Sequence, residues 1–197
     1  MCCSGGEAAL VNAALNTGTY QGGVVTVSPA GFNNDIYFCV GDKTKIYDNN
    51  TSGKIYVFEA DFTYVGGAQA GQGLAFVGFT SSMKTGLGNG AMHKCSYLRA
   101  SSTSDANGAT SVELYGQTYE RGVTYRVRYE YILKENKVRV YTNGEYIGEH
   151  TFAYTQDTVD PSTVYAFQYY TRAQSAGLKM SFDNAYCGIE DDGGVKQ

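Results

Sequence analysis

The stretch Lys-Val-Arg-Val-Tyr-Thr-Asn-Gly-Glu-Tyr-Ile-Gly, residues 137–148, is the part of the chain that most directly predicts the fold class. In it, two segments of alternating apolar and polar residues flank Asn143-Gly144. Both central residues of a type I′ turn need a positive φ, so Asn-Gly between two such segments is a strong hairpin signal. We therefore predict two antiparallel strands joined by a tight turn.

The segment before this hairpin extends the same pattern. Residues 123–131 place apolar or aromatic side chains at every odd position and polar or charged ones at every even position: Val123, Tyr125, Val127, Tyr129 and Tyr131 alternate with Thr124, Arg126, Arg128 and Glu130. A period of two indicates a strand with one buried face. Lys134-Glu135-Asn136 then turns the chain into the hairpin, which predicts an antiparallel meander.

The rest of the chain is also rich in strand patterns. Further strands are predicted at residues 22–27, 35–40, 54–65, 73–79, 164–170 and 178–186, and loops at 82–96 and 101–109. The one cluster of helix formers, residues 7–15, is followed by the stop signal Asn16-Thr17-Gly18. We predict an all-β, two-sheet antiparallel sandwich of the jelly-roll type with a short N-terminal helix. Its expected organisation is an N-terminal arm (1–20), a sandwich domain (21–189) and a C-terminal tail (190–197).

The composition of the 197-residue chain excludes several classes of partner. Charged residues make up 17% of the chain, the net charge is -4 and no run of lysine or arginine occurs, so we expect no nucleic-acid partner. The chain has no stretch of about 18 consecutive apolar residues, so we predict no transmembrane segment. The five cysteines lack C-x-x-C spacing, which argues against a zinc site and leaves disulfide formation open. They are Cys2, Cys3, Cys39, Cys95 and Cys187.

Four motifs, in the order in which they occur between residues 52 and 188, carry a resemblance to a known family. They are Gly-Lys-Ile-Tyr-Val-Phe-Glu-Ala-Asp-Phe (53–62), Arg-Gly-Val-Thr-Tyr-Arg-Val-Arg-Tyr-Glu-Tyr (121–131), the hairpin extended to Glu149 (137–149) and Met-Ser-Phe-Asp-Asn-Ala-Tyr (180–186). This order resembles the concanavalin A-like lectin and glucanase superfamily, which includes laminin G-like jelly rolls. The resemblance implies a jelly roll, and that fold hosts lectins, hydrolases and structural modules alike.

Glu59 and Asp61 are the two carboxylates that this resemblance makes candidates for catalysis. Retaining glucanases of the superfamily carry Glu-x-Asp-x-x-Glu on one strand, whereas here Tyr64 stands at the place of the second glutamate. A retaining mechanism needs two carboxyl groups about 5 to 5.5 Å apart with separated pKa values. Strand alternation instead puts Glu59 and Asp61 on the polar face of a strand, so we predict that the protein is not an enzyme and has no catalytic residues.

Histidines and other acidic residues add no catalytic or metal site to this prediction. His93 and His150 are the only histidines, and no G-x-S-x-G motif accompanies them. Related jelly rolls often hold a structural calcium, for which Asp183 with Asp35 or Asp42 would be the candidate ligands here. Calcium needs six to eight oxygen ligands, which a sequence cannot show converging. We therefore assign neither a metal nor a cofactor.

Outward-facing tyrosines and arginines are the candidates for ligand binding. Alternation also places Glu113, Arg126, Arg128, Arg139 and Tyr141 away from the core. Aromatic faces and planar hydrogen-bonding groups are the side chains that suit sugars. The residues assigned to the binding site are Tyr97, Arg99, Tyr115, Gln168, Tyr170, Arg172, Glu59 and Asp61. The alternative is an ordinary solvated sheet with cross-strand pairs, each worth about 0.2 to 1 kcal/mol, and the absence of tryptophan favours it.

These observations lead to three functional hypotheses. The first is a non-catalytic carbohydrate-binding or adhesion module, located extracellularly or at a surface (secreted, cell surface or virion), with a glycan or polysaccharide as its partner. The second is a structural or decoration subunit of a virion or filament, whose N-terminal helix docks on a neighbouring subunit or on another copy of the chain. The third is a glucanase-like glycoside hydrolase.

Overall fold

A computed structural model gives the fold of the chain. It describes residues 18–21, 24–27, 34–40, 53–69, 73–80, 92–132, 135, 137–151, 167–173 and 179–195. Within these ranges the regular structure consists of β-strands. The helix predicted over residues 7–15 lies outside the described residues.

Seven strands form the larger sheet. In spatial order they are β1 (Gly18–Gln21), β2 (Val24–Val27), β15 (Lys179–Asp191), β4 (Lys54–Gly66), β11 (Thr124–Ile132), β12 (Lys137–Thr142) and β13 (Glu145–Thr151). Each neighbouring pair is antiparallel. The predicted meander is therefore one side of this sheet, with β11, β12 and β13 lying side by side.

Six strands form the second sheet, and a short hairpin lies apart from both. The order is β10 (Gln117–Glu120), β9 (Ser111–Leu114), β6 (Met92–Ala100), β5 (Gly73–Thr80), β14 (Phe167–Ala173) and β3 (Asn34–Val40). The hairpin pairs β7 (Ser104–Asp105) with β8 (Gly108–Ala109). All of these pairings are antiparallel. The predicted all-β antiparallel sandwich is confirmed.

The turn at Asn143-Gly144 has the predicted conformation. The φ angles are 52° at Asn143 and 85° at Gly144, as a type I′ turn requires. The Asn143 side chain also fixes the neighbouring strand, because its Oδ1 accepts a hydrogen bond of 2.9 Å from the backbone N–H of Arg126. The hairpin signal in the sequence thus marks a turn that is tied to β11.

Aromatic side chains from alternate positions fill the core between the sheets. The buried residues of the larger sheet that point into this core are Phe58, Ala60, Phe62, Tyr64, Val127, Tyr129, Tyr131, Val138, Val140, Met180 and Phe182. Tyr119 reaches this set from the second sheet, where its ring lies edge-on to Phe62 with centroids 5.6 Å apart. Its hydroxyl is 2.6 Å from Thr142 Oγ1, which satisfies both buried groups. Tyr119 therefore ties the two sheets together.

Three segments differ from the sequence prediction. Residues 92–96, predicted as part of a loop, belong to β6, which is paired with β5 and then with β9. Residues 18–21, placed in the N-terminal arm behind a stop signal, form β1 against β2, and the loop predicted at 101–109 contains the β7–β8 hairpin. These segments lack clear alternation, so pairing with neighbours decides their conformation.

Candidate functional site on the outer face of the larger sheet

The polar side chains of interest lie on the face of the seven-stranded sheet that is turned away from the core, called the outer face below. Strand register aligns them in rows. One row crosses five strands as Tyr186, Glu59, Arg128, Tyr141 and Tyr146, and the next runs as Asp183, Asp61 and Arg126. Because the intervening residues of β4 and β11 fill the core, both rows belong to the outer face.

Arg126 is held by three residues from two neighbouring strands. Its Nε donates to Glu59 Oε1 at 2.7 Å, and its Nη1 donates to Asp61 Oδ1 and to the Asn184 carbonyl, each at 3.1 Å. Asn184 in turn donates from Nδ2 to Asp61 Oδ2 at 2.6 Å. Asn184 can do both because it lies in a β-bulge with a φ of 48°. These four residues are called the Arg126 site.

A second arginine continues the ion pairs across the sheet. Arg128 donates to Glu59 Oε2 at 3.0 Å, to Glu130 Oε1 at 2.8 Å and to Glu190 Oε2 at 2.6 Å. These three carboxylates lie on three adjacent strands, one on each of β4, β11 and β15. Arg128 therefore links Glu59 of the Arg126 site to the buried Glu130.

Arg139 closes the chain of ion pairs at its other end. Its guanidinium contacts both carboxylate oxygens of Asp192, at 2.7 and 3.4 Å, and lies 3.7 Å from Glu130 Oε2. Asp192 is fixed as well, because its N–H donates to the Gly53 carbonyl at 2.7 Å. The chain of ion pairs thus holds the C-terminal end of β15 against the sheet.

The charges of Arg126 and Arg128 favour the ionised form of Glu59 in the Arg126 site. Burial by itself would raise the pKa of Glu59, but hydrogen bonds and charge from Arg126 and Arg128 outweigh it and lower that pKa. Burial likewise disfavours the charged form of Arg126, and its bonds to Glu59 and Asp61 outweigh this and raise its pKa. Glu59 and Arg126 are therefore both charged at neutral pH.

Exposure falls along the chain of ion pairs from Arg126 to Glu130 and rises again toward Asp192, whose side chain is 21% exposed. The side chain of Arg126 is 36% exposed, and those of Asp61 and Glu59 are 28% and 24% exposed. Toward the other end, the side chains of Glu130 and Arg139 are only 3% and 9% exposed. A ligand can therefore reach hydrogen-bonding groups at the Arg126 end, where carboxylate oxygens and guanidinium N–H groups lie side by side.

The eight residues assigned from sequence are divided between the two sheets. Glu59 and Asp61 come together in the Arg126 site. Tyr97 and Arg99 lie on β6, and Gln168, Tyr170 and Arg172 lie on β14. Since β5 separates β6 from β14, these two groups are about 10 Å apart across the second sheet. Among these five residues, the structure describes the side chain of Arg99, which is exposed. The binding role of all eight stays a prediction.

Tyr115 is not a strand residue, so the alternation from which its outward direction was inferred does not apply there. It lies in the turn between β9 and β10 with a φ of 50°. Its ring packs on Gly148 of β13, where an added Cβ would come within 2.8 Å of Tyr115 Cγ. Alternation could not foresee this, because it assumes that the strand continues through the turn. Tyr115 packs the second sheet against the edge of the first.

Three residues in or next to the Arg126 site were not assigned to a site from the sequence. Arg126 and Arg128 were correctly expected to face outward, and Asn184 lies in the Phe-Asp-Asn motif, yet none was linked to Glu59 and Asp61. A usable signal was present, because Glu-x-Asp and Arg-x-Arg on two antiparallel strands can form cross-strand pairs. What the sequence lacked was the register that pairs Glu59 with Arg128.

In the part of the chain that the structure describes, no three His, Cys, Asp or Glu side chains lie close enough together to hold a metal ion. Asp183 accepts the Asn184 N–H at 2.8 Å, while Asp42 and the side chains of Asp35 and the five cysteines lie outside the described part. The assignment of no metal stays a prediction. No helix among the described residues is long and apolar enough to cross a bilayer.

Comparison with known proteins gives a likeness of fold. No protein-family model and no curated protein matches the chain. Among solved structures, an alginate lyase matches at 12% identity with a TM-score of 0.52, over 92% of this chain and 86% of that one. A carbohydrate-binding module from Bacillus subtilis matches at 15% identity with a TM-score of 0.48, over 97% of this chain and all of that one.

A sialidase matches at 12% identity with a TM-score of 0.50, over 96% of this chain. The chain spans only 18% of the length of that sialidase. Identities this low speak for the fold and not for an activity. The chain shares the fold of the alginate lyase and the sialidase, as the resemblance in its motifs predicted.

Proposed function

We propose that the protein is a non-catalytic carbohydrate-binding module that holds a glycan at the Arg126 site. The observation that carries the proposal is the array of Arg126, Glu59, Asp61 and Asn184, which is fixed by mutual hydrogen bonds and still partly exposed. The fold is also that of an alginate lyase and a sialidase, two proteins whose names place glycans among their substrates.

The chemistry of the array suits sugar hydroxyl groups. A hydroxyl can donate to a carboxylate oxygen of Glu59 or Asp61 and accept from the guanidinium of Arg126 at the same time. Hydrogen bonds to charged groups are the stronger ones. Because the three side chains are already locked together, little side-chain entropy is lost when a ligand binds. Tyr186, half-buried in the same row as Glu59, gives the site an aromatic neighbour.

The same contacts argue against the glucanase-like hydrolase. A retaining glycosidase needs one carboxyl group with a raised pKa to act as general acid, whereas Arg126 and Arg128 lower the pKa of Glu59. Where the glucanase motif has its second glutamate, Tyr64 is fully buried and donates from its hydroxyl to the Ala109 carbonyl at 2.9 Å. We therefore propose binding without bond cleavage.

The proposed setting follows from the proposed ligand. Glycans are displayed on cell surfaces and in extracellular polymers, so we place the protein outside the cell or on a surface. Its partner is a glycan or polysaccharide, and the binding chemistry described above needs no metal or cofactor.

The experiment is a glycan array on the purified chain, followed by calorimetry with the best ligand on two variants. Arg126→Gln should weaken binding about tenfold or more, since a hydrogen bond to a charged group is worth about 1.5 to 3 kcal/mol. The matched control is Arg99→Gln, which removes an exposed arginine from the second sheet and should leave affinity unchanged. Loss of binding in the Arg99 variant alone would show that the binding site lies on the second sheet.

A negative array is informative as well. If no glycan is retained and light scattering shows self-association, the carbohydrate-binding proposal is wrong and the structural-subunit hypothesis is favoured. If a glycan is cleaved during the assay, the non-catalytic part of the proposal fails.

A further inference from the structure

A pocket of about 560 Å³ lies where β4 ends, beyond the Arg126 site. The segment after β4, residues 66–69, forms one wall, and the β7–β8 hairpin forms the other. The lining includes the side chains of Val65, Gln69, Ser104, Asn107 and Lys179.

The walls of the pocket are rigid. Gly67 N–H donates to the Asn107 carbonyl at 2.6 Å, and Ala109 N–H donates to the Ala68 carbonyl at 2.8 Å. The two segments approach so closely that a Cβ on Gly108 would lie 2.6 Å from the Ala68 carbonyl oxygen. Gly108 also has a φ of 92°, which favours glycine. The pocket is therefore preformed.

The charge of the pocket is positive. Asp105, the one carboxylate among the described residues of the lining, forms a two-pronged ion pair with Arg121, which lowers the pKa of Asp105 to about 2. Lys179 also lines the pocket, is exposed, and has no described carboxylate within 4.0 Å of its ammonium group. Lys179 therefore supplies the uncompensated charge of the lining, and that charge favours an anionic ligand.

A strip of hydroxyl groups joins the pocket to the Arg126 site. Ser181, Thr63 and Thr124 are partners across β15, β4 and β11, one row away from Asp183, Asp61 and Arg126. Thr63 Oγ1 and Thr124 Oγ1 are 2.8 Å apart. Along β4 the five steps from Asp61 to Gly66 span about 17 Å at roughly 3.3 Å per residue. The hydroxyl strip thus lies between the Arg126 site and the pocket along β4, and the exposed Val65 adjoins the strip in the lining of the pocket.

The two ends of this strip differ in charge. Near Arg126 lie three carboxylates, those of Glu59, Asp61 and Asp183. A carboxylate on a ligand would be repelled there, whereas neutral hydroxyl groups can donate to these oxygens. At the pocket end the ammonium group of Lys179 attracts a carboxylate. The strip therefore favours a ligand that is neutral along its length and acidic at one end.

We propose that the pocket is the terminal subsite for an acidic sugar: a carboxylate-bearing unit at the end of a glycan sits beside Lys179, and the neutral units lie along the hydroxyl strip toward Arg126. This inference rests on the proposed function and adds the class of glycan and the direction in which it lies.

The test uses an array of matched pairs, in which each neutral oligosaccharide stands beside the same oligosaccharide capped with one uronic or sialic acid. The unmodified chain should bind the capped members about tenfold more tightly, as expected for one charge-assisted hydrogen bond. Lys179→Gln should abolish this preference without changing affinity for the neutral members. Lys137→Gln, which removes a lysine of β12 that is paired with Glu149, is the control and should leave the preference intact.

Every other outcome contradicts either the acidic subsite alone or the proposed function as well. Equal binding of capped and neutral members, or a preference that survives Lys179→Gln, overturns the acidic subsite and leaves the proposed function standing. No binding to any member overturns both. A further variant, Ala106→Trp, should fill the pocket and remove the preference while Lys179 is still present.

Discussion

The two ends of the ion-pair chain on the outer face are built from the same residue types and differ in their exposure to solvent. At one end the Arg126 side chain is 36% exposed, and at the other the Glu130 and Arg139 side chains are 3% and 9% exposed. Exposed ion pairs add little to stability, whereas a buried charge that loses its partner is costly. The buried end therefore serves mainly to hold the sheet together, and the open end is available for a ligand.

The largest effect is expected from breaking the buried end. Arg128→Met removes the hydrogen-bond donor of Glu130, whose side chain is only 3% exposed. The same change removes the contacts of Arg128 with Glu59 and Glu190. We expect a loss of about 3 to 5 kcal/mol in the free energy of unfolding, measured by urea denaturation. Adding Glu130→Gln to this variant should restore part of the loss, because the buried side chain that lost its hydrogen-bond donor then no longer carries a charge.

A smaller loss of stability is expected at the open end. Arg126→Met removes ion pairs to Glu59 and Asp61 that are all partly exposed, so the free energy of unfolding should fall by about 1 kcal/mol or less. Glycan affinity should nevertheless fall at least tenfold in the same variant. A stability loss equal to that of Arg128→Met would show that the two ends do not differ as described.

Acid should weaken both ends. The pKa of Glu59 is lowered in the folded state from an ordinary value of 4.5, and that of Asp192 is lowered from 3.8. A lowered folded-state pKa contributes stability that is fully present above the unfolded-state pKa and is lost as the pH falls through the folded-state pKa. The urea midpoint should therefore drop below about pH 4.5, and Glu59→Gln should make that drop shallower. An unchanged acid limb in this variant would contradict the role given to the Glu59 ion pairs.

The smallest effect is expected at an exposed ion pair away from both ends. Lys137 lies 3.0 Å from Glu149 on the edge strand β13, and Glu149 is 38% exposed. Lys137→Gln should leave the urea midpoint within experimental error, since exposed pairs of this kind often contribute nothing measurable. A clear loss of stability would mean that exposure does not separate strong from weak ion pairs on this face.

Much of the fold could be predicted because its signals are local. The alternation around Val127 and the turn at Asn143-Gly144 indicated β11, β12 and β13 from the backbone conformations that these residues favour. The prediction failed at residues 92–96, which lack alternation and become a strand through pairing with β5. The direction of the Tyr115 side chain could not be predicted for a related reason, since a turn interrupts the alternation on which that prediction relied.

The sequence by itself determined an all-β sandwich, the strand that carries Glu59 and Asp61, and the outward direction of Arg126 and Arg128, because side-chain direction along a strand follows the two-residue period. Only the tertiary structure decided that these residues form one site. Glu59 and Arg126 are 67 positions apart in the sequence, and a shift of one residue in strand register would turn either strand's charged side chains to the other face. The bulge at Asn184 and the pocket beside Lys179 likewise depend on contacts between distant segments, which no local pattern encodes.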